Sequence, residues 1–343
     1  MGHARVNIAD LQDIACQLVN NGKGILAMDE SNGTCDKRFV SAGIPAAPDA
    51  RRLWRDLILT TPSLGACISG VILYDETIHQ TRADGTPFLK ILGAAGILPG
   101  IKVDAGIKDL ALFPRETITE GLDGLRGRLN HYREMGARFA KWRAVMTIAD
   151  DLPSWGCIDA NAHALARYAA LCQEAGLVPI VEPEILMTGT HTLEQCQAAT
   201  ERVLPSVFAA LRAQRVVLEG IILKPGMVLP GLDNPEQKSA VEIAATTIAS
   251  LRRVVPASVA GIAFLSGGQT GELACARLNE MTRAARLPWP LTFSFARAIQ
   301  FPALPIWNGQ GGNIALAQEA LLRRARRAQA AVRGEYDAEL ELI

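Results

Sequence analysis

Short apolar runs, each stopped by glycine, proline or a charge, recur along the whole chain. The first is "GKGILAMDES", with Gly24 to Met28 as a strand and Asp29 at its exit. "ACISGVILYDE" ends near Tyr74 and Asp75, "GILPGIKVD" near Lys102 and "ARFAKWRAVM" around Lys141. "LVPIVEPEI" follows around Glu182, "VVLEGIILKPG" at Lys224, "SVAGIAFLSGG" at Ser266 and "PWPLTFSFAR" near Ser294. Runs this short and this branched predict buried strands. The gaps between them carry helical periodicity. "NAHALARYAALCQEAG" sets Ala162, Leu165, Ala169 and Cys172 on one face and stops at Gly176. "KSAVEIAATTIASLRRVV" repeats its apolar positions at helical spacing and ends in arginines, which suit the C-terminal end of the helix dipole. "ELACARLNEMTRAAR" does the same.

Eight strands alternating with helices predict parallel pairing and closure into a (β/α)8 TIM barrel. Residues 1–343 then form a single domain, with an extra N-terminal helix, a C-terminal helix and a short tail. The first helix, "IADLQDIACQLV", is expected to bury Ile8, Leu11, Ile14, Ala15 and Leu18; "NIALAQEALLRRARRAQAAV" is the last. An open doubly wound sheet is the competing architecture. It is disfavoured because no G-x-G-x-x-G follows the first strand and no P-loop occurs.

Composition narrows the class. Thirty-five basic residues balance thirty-five acidic ones, so no field draws the chain to nucleic acid or to a membrane surface. Any basic site must be local. Seven cysteines without regular spacing fit a reducing compartment, and "MGHARVNIAD" lacks the apolar core of a signal peptide, so a cytoplasmic protein is expected. His3, His79, His131, His163 and His191 show no metal-ligand spacing, and no C-x-x-C occurs; no metal or other cofactor is expected.

In a barrel, chemistry gathers at the carboxyl ends of the strands. Those ends read Asp29, Asp75, Lys102 with Asp104, Lys141 with Arg143, Glu182 with Glu184, Lys224, Ser266-Gly267-Gly268, then Arg297. "KVD", "KWR" and "EPE" each place two charges at a spacing of two, hence on one side of a strand. The outer side packs on apolar helices, so these pairs point to the barrel axis. One such charge would ordinarily be solvated or part of a structural ion pair; similar exits on most strands describe a site.

A lysine amine attacks only when neutral, and its free pKa lies about three units above neutrality. Lys224 follows an apolar strand, and Lys141 or Arg143 is a plausible neighbouring cation; burial and a neighbouring cation both lower an amine's pKa. Such an amine can condense with a ketone to an iminium, with Glu182 or Glu184 as the proton donor for water loss. Asp29 is a candidate base for breaking the carbon–carbon bond beyond it. "SGGQT" with Arg297 offers backbone N–H groups and a cation to one phosphate. Ser31, Thr34, Arg38, Lys102 and Arg143 offer a second anion site. Two phosphate sites flanking an iminium-forming lysine describe a sugar bisphosphate. The residues also admit a related Schiff-base barrel for another sugar phosphate, or a barrel serving as a non-catalytic scaffold.

From about Gly22 to Arg333 the chain resembles the class I fructose-1,6-bisphosphate aldolases. The resemblance rests on "GKGILAMDES", "GVILYDET", "PGIKVDAG", "EGLDGLRGR", "GARFAKWR", "NAHALARYAALCQEAGLVPIVEPEI", "LEGIILKPGM", "FLSGGQT" and "FSFARAIQ". It implies reversible, metal-free cleavage of fructose 1,6-bisphosphate to dihydroxyacetone phosphate and glyceraldehyde 3-phosphate. It further implies Lys224 as the Schiff-base lysine, Glu182 as the acid/base of dehydration and Asp29 as acceptor of the C4 hydroxyl proton. Lys141 would assist at the ketone end, and Glu184 would support the lysines. One phosphate would lie on Ser266, Gly267 and Arg297, the other near Ser31, Thr34, Arg38, Lys102 and Arg143. A homotetramer is typical of such proteins. The chain departs from the pattern at Met28, Gly226, Phe295 and Ala296. It also ends in "YDAELELI", where many relatives carry a terminal tyrosine that handles the C3 proton.

Overall fold

The computed structural model describes residues 7–284 and 286–342. Its strands are β1 (Gly24–Ala27), β2 (Ile68–Leu73), β3 (Leu98–Lys102), β4 (Gly106–Asp109), β5 (Thr117–Glu120), β6 (Phe139–Met146), β7 (Val178–Ile185), β8 (Ile222–Leu223), β9 (Gly261–Phe264) and β10 (Leu291–Phe295). Eight of them close in the order β1-β2-β3-β6-β7-β8-β9-β10, every neighbouring pair parallel. This is the (β/α)8 barrel expected from the alternation of strands and helices. The antiparallel hairpin β4–β5 is additional, and nothing in the apolar runs announced it.

Barrel strands are covered on both faces, which is why they are apolar along their length rather than alternating with exposed positions. Four of the long outer helices start at hydroxyl caps. Ser154 and Thr270 accept from the third helical N–H, and Thr192 with Gln195 and Ser239 with Glu242 form full capping boxes.

The amino-terminal end of the barrel is floored by the helix Ile8–Val19. Leu11, Ala15, Leu18 and Val19 pack against Ile25, Phe139, Val178, Ile180 and Ile222 of the barrel interior. Glycines make room for them: a Cβ at Gly70 would stand 2.5 Å from Leu18 Cδ2, and one at Gly261 would stand 2.7 Å from Val19 Cγ2. Ile8 was expected on this face but remains exposed, because the helix begins beyond the rim of the barrel floor. With an apolar floor below and helices outside, the polar end of each strand faces the one opening left.

Candidate active site

Strand periodicity builds the site in layers. On the inward side, β6 reads Phe139, then Lys141, then Arg143; β7 reads Ile180, Glu182, Glu184. Beyond β8, Ile222 is followed by Lys224, whose backbone N–H still donates to Val181 O at 2.8 Å and so continues the ladder past the strand. Ala27 is followed by Asp29 in the same way. Residues between these turn outward: Met28 and Trp142 are fully buried among the helices, so the unusual Met28 does not touch the site.

The result is a cavity of about 670 Å³. Every residue singled out for the site lines it: Asp29, Lys141, Glu182, Glu184 and Lys224, together with Ser31, Thr34, Arg38, Lys102, Arg143, Ser266, Gly267 and Arg297. Asp75 does not. It accepts a hydrogen bond from Tyr132 Oη at 2.7 Å and faces His79, away from the barrel axis.

Glu182 is the hinge of the charge arrangement. Its Oε1 lies 3.1 Å from Lys224 Nζ and its Oε2 lies 3.4 Å from Lys141 Nζ. Lys141 Nζ also pairs with Asp29 Oδ2 at 2.7 Å. Lys141, Glu182 and Lys224 are nearly inaccessible to water and the Asp29 side chain is 12% exposed, so each charge must be paired where it stands. The neighbour that Lys224 meets is thus a carboxylate, where a cation, Lys141 or Arg143, was expected. Glu182 intervenes because its inward position falls between the lysines of β6 and β8.

The same burial works on the pKa values. Burial alone would raise the Asp29 carboxyl, but Lys141, Lys224 and Lys102 overcome it and hold Asp29 down at about 2. Glu182 is likewise opposed by burial and pulled below its usual range by Lys224, Lys141 and Arg143. Burial disfavours charge on Lys141, yet Asp29 and Glu182 lift its ammonium above the ordinary lysine range. At the rim, Lys102 pairs with Asp104 at 2.8 Å, Arg143 with Glu184, and Arg38 with Glu30. Arg297 has no ion-pair partner among the described residues.

The loop after β9 supplies the second feature. Gly267 and Gly268 have φ of 60° and 104°, conformations that suit glycine, and of the two Gly267 lines the cavity with Arg297. A Cβ on Gly267 would also lie 2.4 Å from Met187 Cε. Across the mouth, the helix Asn32–Ser41 begins at its cap Ser31, with Thr34 in the first turn, so its N-terminus points its dipole at the same space.

Two contributors were not read from sequence. Ser294 is 2% exposed on the inward side of β10, and its hydroxyl has no hydrogen-bond partner although it borders the cavity. A lone serine carries no signal until its strand register is known. Glu30 was passed over because its neighbour Asp29 sits at the strand exit; its carboxylate holds Arg38 and Arg55. Of the histidines, His3 lies outside the described residues, as does the terminal Ile343.

The sequence profile of the family described as fructose-bisphosphate aldolase class-I matches residues 10–342. The chain belongs to this family. A probable fructose-bisphosphate aldolase class 1 of Xanthomonas axonopodis pv. citri is 53% identical over 332 residues, covering 96% of this chain and 99% of that protein. Cytosolic fructose-bisphosphate aldolase 6 of Arabidopsis thaliana is 50% identical over 322 residues, 94% of this chain and 90% of that one. A solved structure of fructose-bisphosphate aldolase from Plasmodium falciparum, in complex with TRAP and a small-molecule inhibitor, superposes with a TM-score of 0.95. It is 43% identical and covers 96% of each chain. Membership makes the protein a lyase of the class that works through a Schiff-base lysine without a metal.

Proposed function

We propose that Lys224 forms the Schiff base with fructose 1,6-bisphosphate and that Glu182 moves the protons for it. The carrying observation is the ion pair of 3.1 Å between them, buried at the closed end of the cavity. Transfer of one proton from Lys224 to Glu182 produces both species the first step needs, a neutral amine and a carboxylic acid. The amine adds to the C2 ketone; the acid then returns its proton to the departing hydroxyl, which leaves as water. The product pair is iminium and carboxylate, so the buried charge balance is the same before and after. Lys141, paired to the other oxygen of Glu182, assists at the ketone end; Glu184, expected to support the lysines, pairs instead with Arg143 and holds that cation.

Asp29 takes the C4 hydroxyl proton as the C3–C4 bond breaks, its electron pair passing to the iminium to give the enamine while the aldehyde departs. Against Lys141 the carboxylate is a weak base. A sugar drawing Lys141 toward the ketone end loosens that pair and raises its basicity. Ser266 and Gly267 follow β9, the strand next to Lys224, and Arg297 follows β10 one strand further on, so the three suit the phosphate beside the ketone. Ser31, Thr34, Arg38, Lys102 and Arg143 lie on the side of Asp29 and suit the far phosphate. The reading takes residues 1–343 as one cytoplasmic domain in a homotetramer, the arrangement implied by the resemblance; light scattering checks the subunit number.

Borohydride with dihydroxyacetone phosphate should inactivate the protein and attach label to Lys224, and Lys224→Met should neither cleave nor label. Cleavage by that variant, or label on Lys141 instead, would overturn the assignment.

A further inference from the structure

Arg38 is committed to Glu30 in this structure, yet the proposed function needs it at a phosphate. Glu30 cannot simply be abandoned: its side chain is 7% exposed, and a buried carboxylate without a cation is costly. A second arginine meets that need. Arg55, on the helix Pro48–Leu59, is 2% exposed and places Nη1 2.8 Å from Glu30 Oε2 and Nη2 3.3 Å from Glu30 O. Gln300 adds Nε2 at 3.0 Å from Glu30 Oε1, its own position fixed by a 2.6 Å bond to Ala27 O. Arg55 does not border the cavity, so it has no access to substrate. Arg38 is the more exposed cation, with its guanidinium over the Phe301 ring at 5.4 Å and Phe301 on the cavity wall.

We propose that Arg55 is a positioning residue that lets Arg38 exchange Glu30 for the far phosphate of the sugar. Arg55 stays on Glu30 throughout, with Gln300 beside it. When the phosphate arrives, Arg38 releases one carboxylate oxygen and takes up phosphate oxygens, and Glu30 keeps a cation and an amide donor. Without Arg55, Arg38 is the only cation on a buried carboxylate, and substrate must compete with that pair. Burial opposes the charge on Glu30, and Arg55 is the largest influence holding it ionised.

The proposal rests on the phosphate reading of Arg38, and the two fail separately. Arg38→Ala should raise KM for fructose 1,6-bisphosphate while leaving fructose 1-phosphate, which lacks the far phosphate, nearly unchanged; an unaltered bisphosphate KM removes the phosphate reading. Given that result, Arg55→Met should raise the bisphosphate KM about tenfold, leave the fructose 1-phosphate constants within about twofold, and add nothing to Arg38→Ala. Adding Glu30→Gln to Arg55→Met should return KM to within about threefold of the parent, because a neutral amide can be left without a cation. A parent-like KM in Arg55→Met, an increase that Glu30→Gln does not relieve, or equal damage with both substrates overturns the relay. Should Arg55→Met not fold, Arg55→Lys and the double variant carry the test: both should bind bisphosphate nearly as the parent does, and a raised KM in either refutes it.

Discussion

Lys224 and Lys141 are buried to nearly the same degree at the same barrel mouth, and only their neighbours distinguish them. Lys141 faces two carboxylates, Asp29 and Glu182, which stabilise its charge. Lys224 pairs with Glu182 alone, so one proton transfer neutralises both members of its pair. Asp29 is the counterpart of this arrangement, and its ionisation is linked to folding. Its carboxyl is held at about 2 in the folded state against an ordinary value of 3.8. The depressed value means that the charged form stabilises the fold above pH 4 and that this stability is lost as pH falls through the folded pKa. The pH-dependent part amounts to about 2 kcal/mol. Urea unfolding of the parent and of Asp29→Asn should therefore give a stability gap that is constant from pH 7 to about pH 4 and narrows below it. A gap that stays flat down to pH 2.5 would mean that Lys141 does not hold the carboxylate.

Two elements meet glycines, and the consequences are opposite. The floor helix Ile8–Val19 presses Leu18 onto Gly70, where an added Cβ would also stand 3.0 Å from Phe139 Cε1. Gly70→Ala overpacks this contact and should cost about 1–3 kcal/mol of stability, while KM changes little because the floor lies beneath the catalytic layer. Gly267→Ala strikes the opposite end of the barrel. Positive φ and the Met187 thioether both oppose the new methyl, so the loop after β9 must shift away from Arg297. KM for the bisphosphate should rise about tenfold in that variant with only a small loss of stability, as read from steady-state kinetics and thermal unfolding. Equal losses of stability in the two variants would show that the loop is part of the scaffold. Runs such as "GIILKPG" and "FLSGGQT" made strand ends and the glycine turn legible because apolar period and turn chemistry are local. The Lys224–Glu182 pair, the outward turn of Asp75 and the grip of Arg55 on Glu30 were not legible, since each depends on which strands or helices become neighbours on closure.

At the scale of the whole molecule, the last segment closes the outside of the barrel. The helix Ile314–Arg333 packs against the helix Gly271–Arg283, and Thr282 Oγ1 donates to Ala331 O at 2.8 Å. Beyond it the chain is clasped by Glu341, whose oxygens lie 2.6 Å from Arg324 Nη1 and 2.7 Å from Arg327 Nη1. Tyr336 belongs to that clasp: its backbone N–H donates to Asn279 Oδ1 at 3.0 Å and its hydroxyl to Glu341 Oε1 at 2.8 Å. It does not border the catalytic cavity, and burial and Glu341 push its phenol above the usual range. A phenol so placed is a fastening, poorly suited to carrying the C3 proton of the enamine. Tyr336→Phe should consequently exchange the C3 proton of dihydroxyacetone phosphate with solvent at the parent rate, within about twofold. Its thermal stability should fall by about 1 kcal/mol for the lost hydrogen bond, since Glu341 keeps both arginines. Exchange slowed about tenfold or more in this variant, with cleavage intact, would show that the clasp opens during turnover and brings the tyrosine to the site.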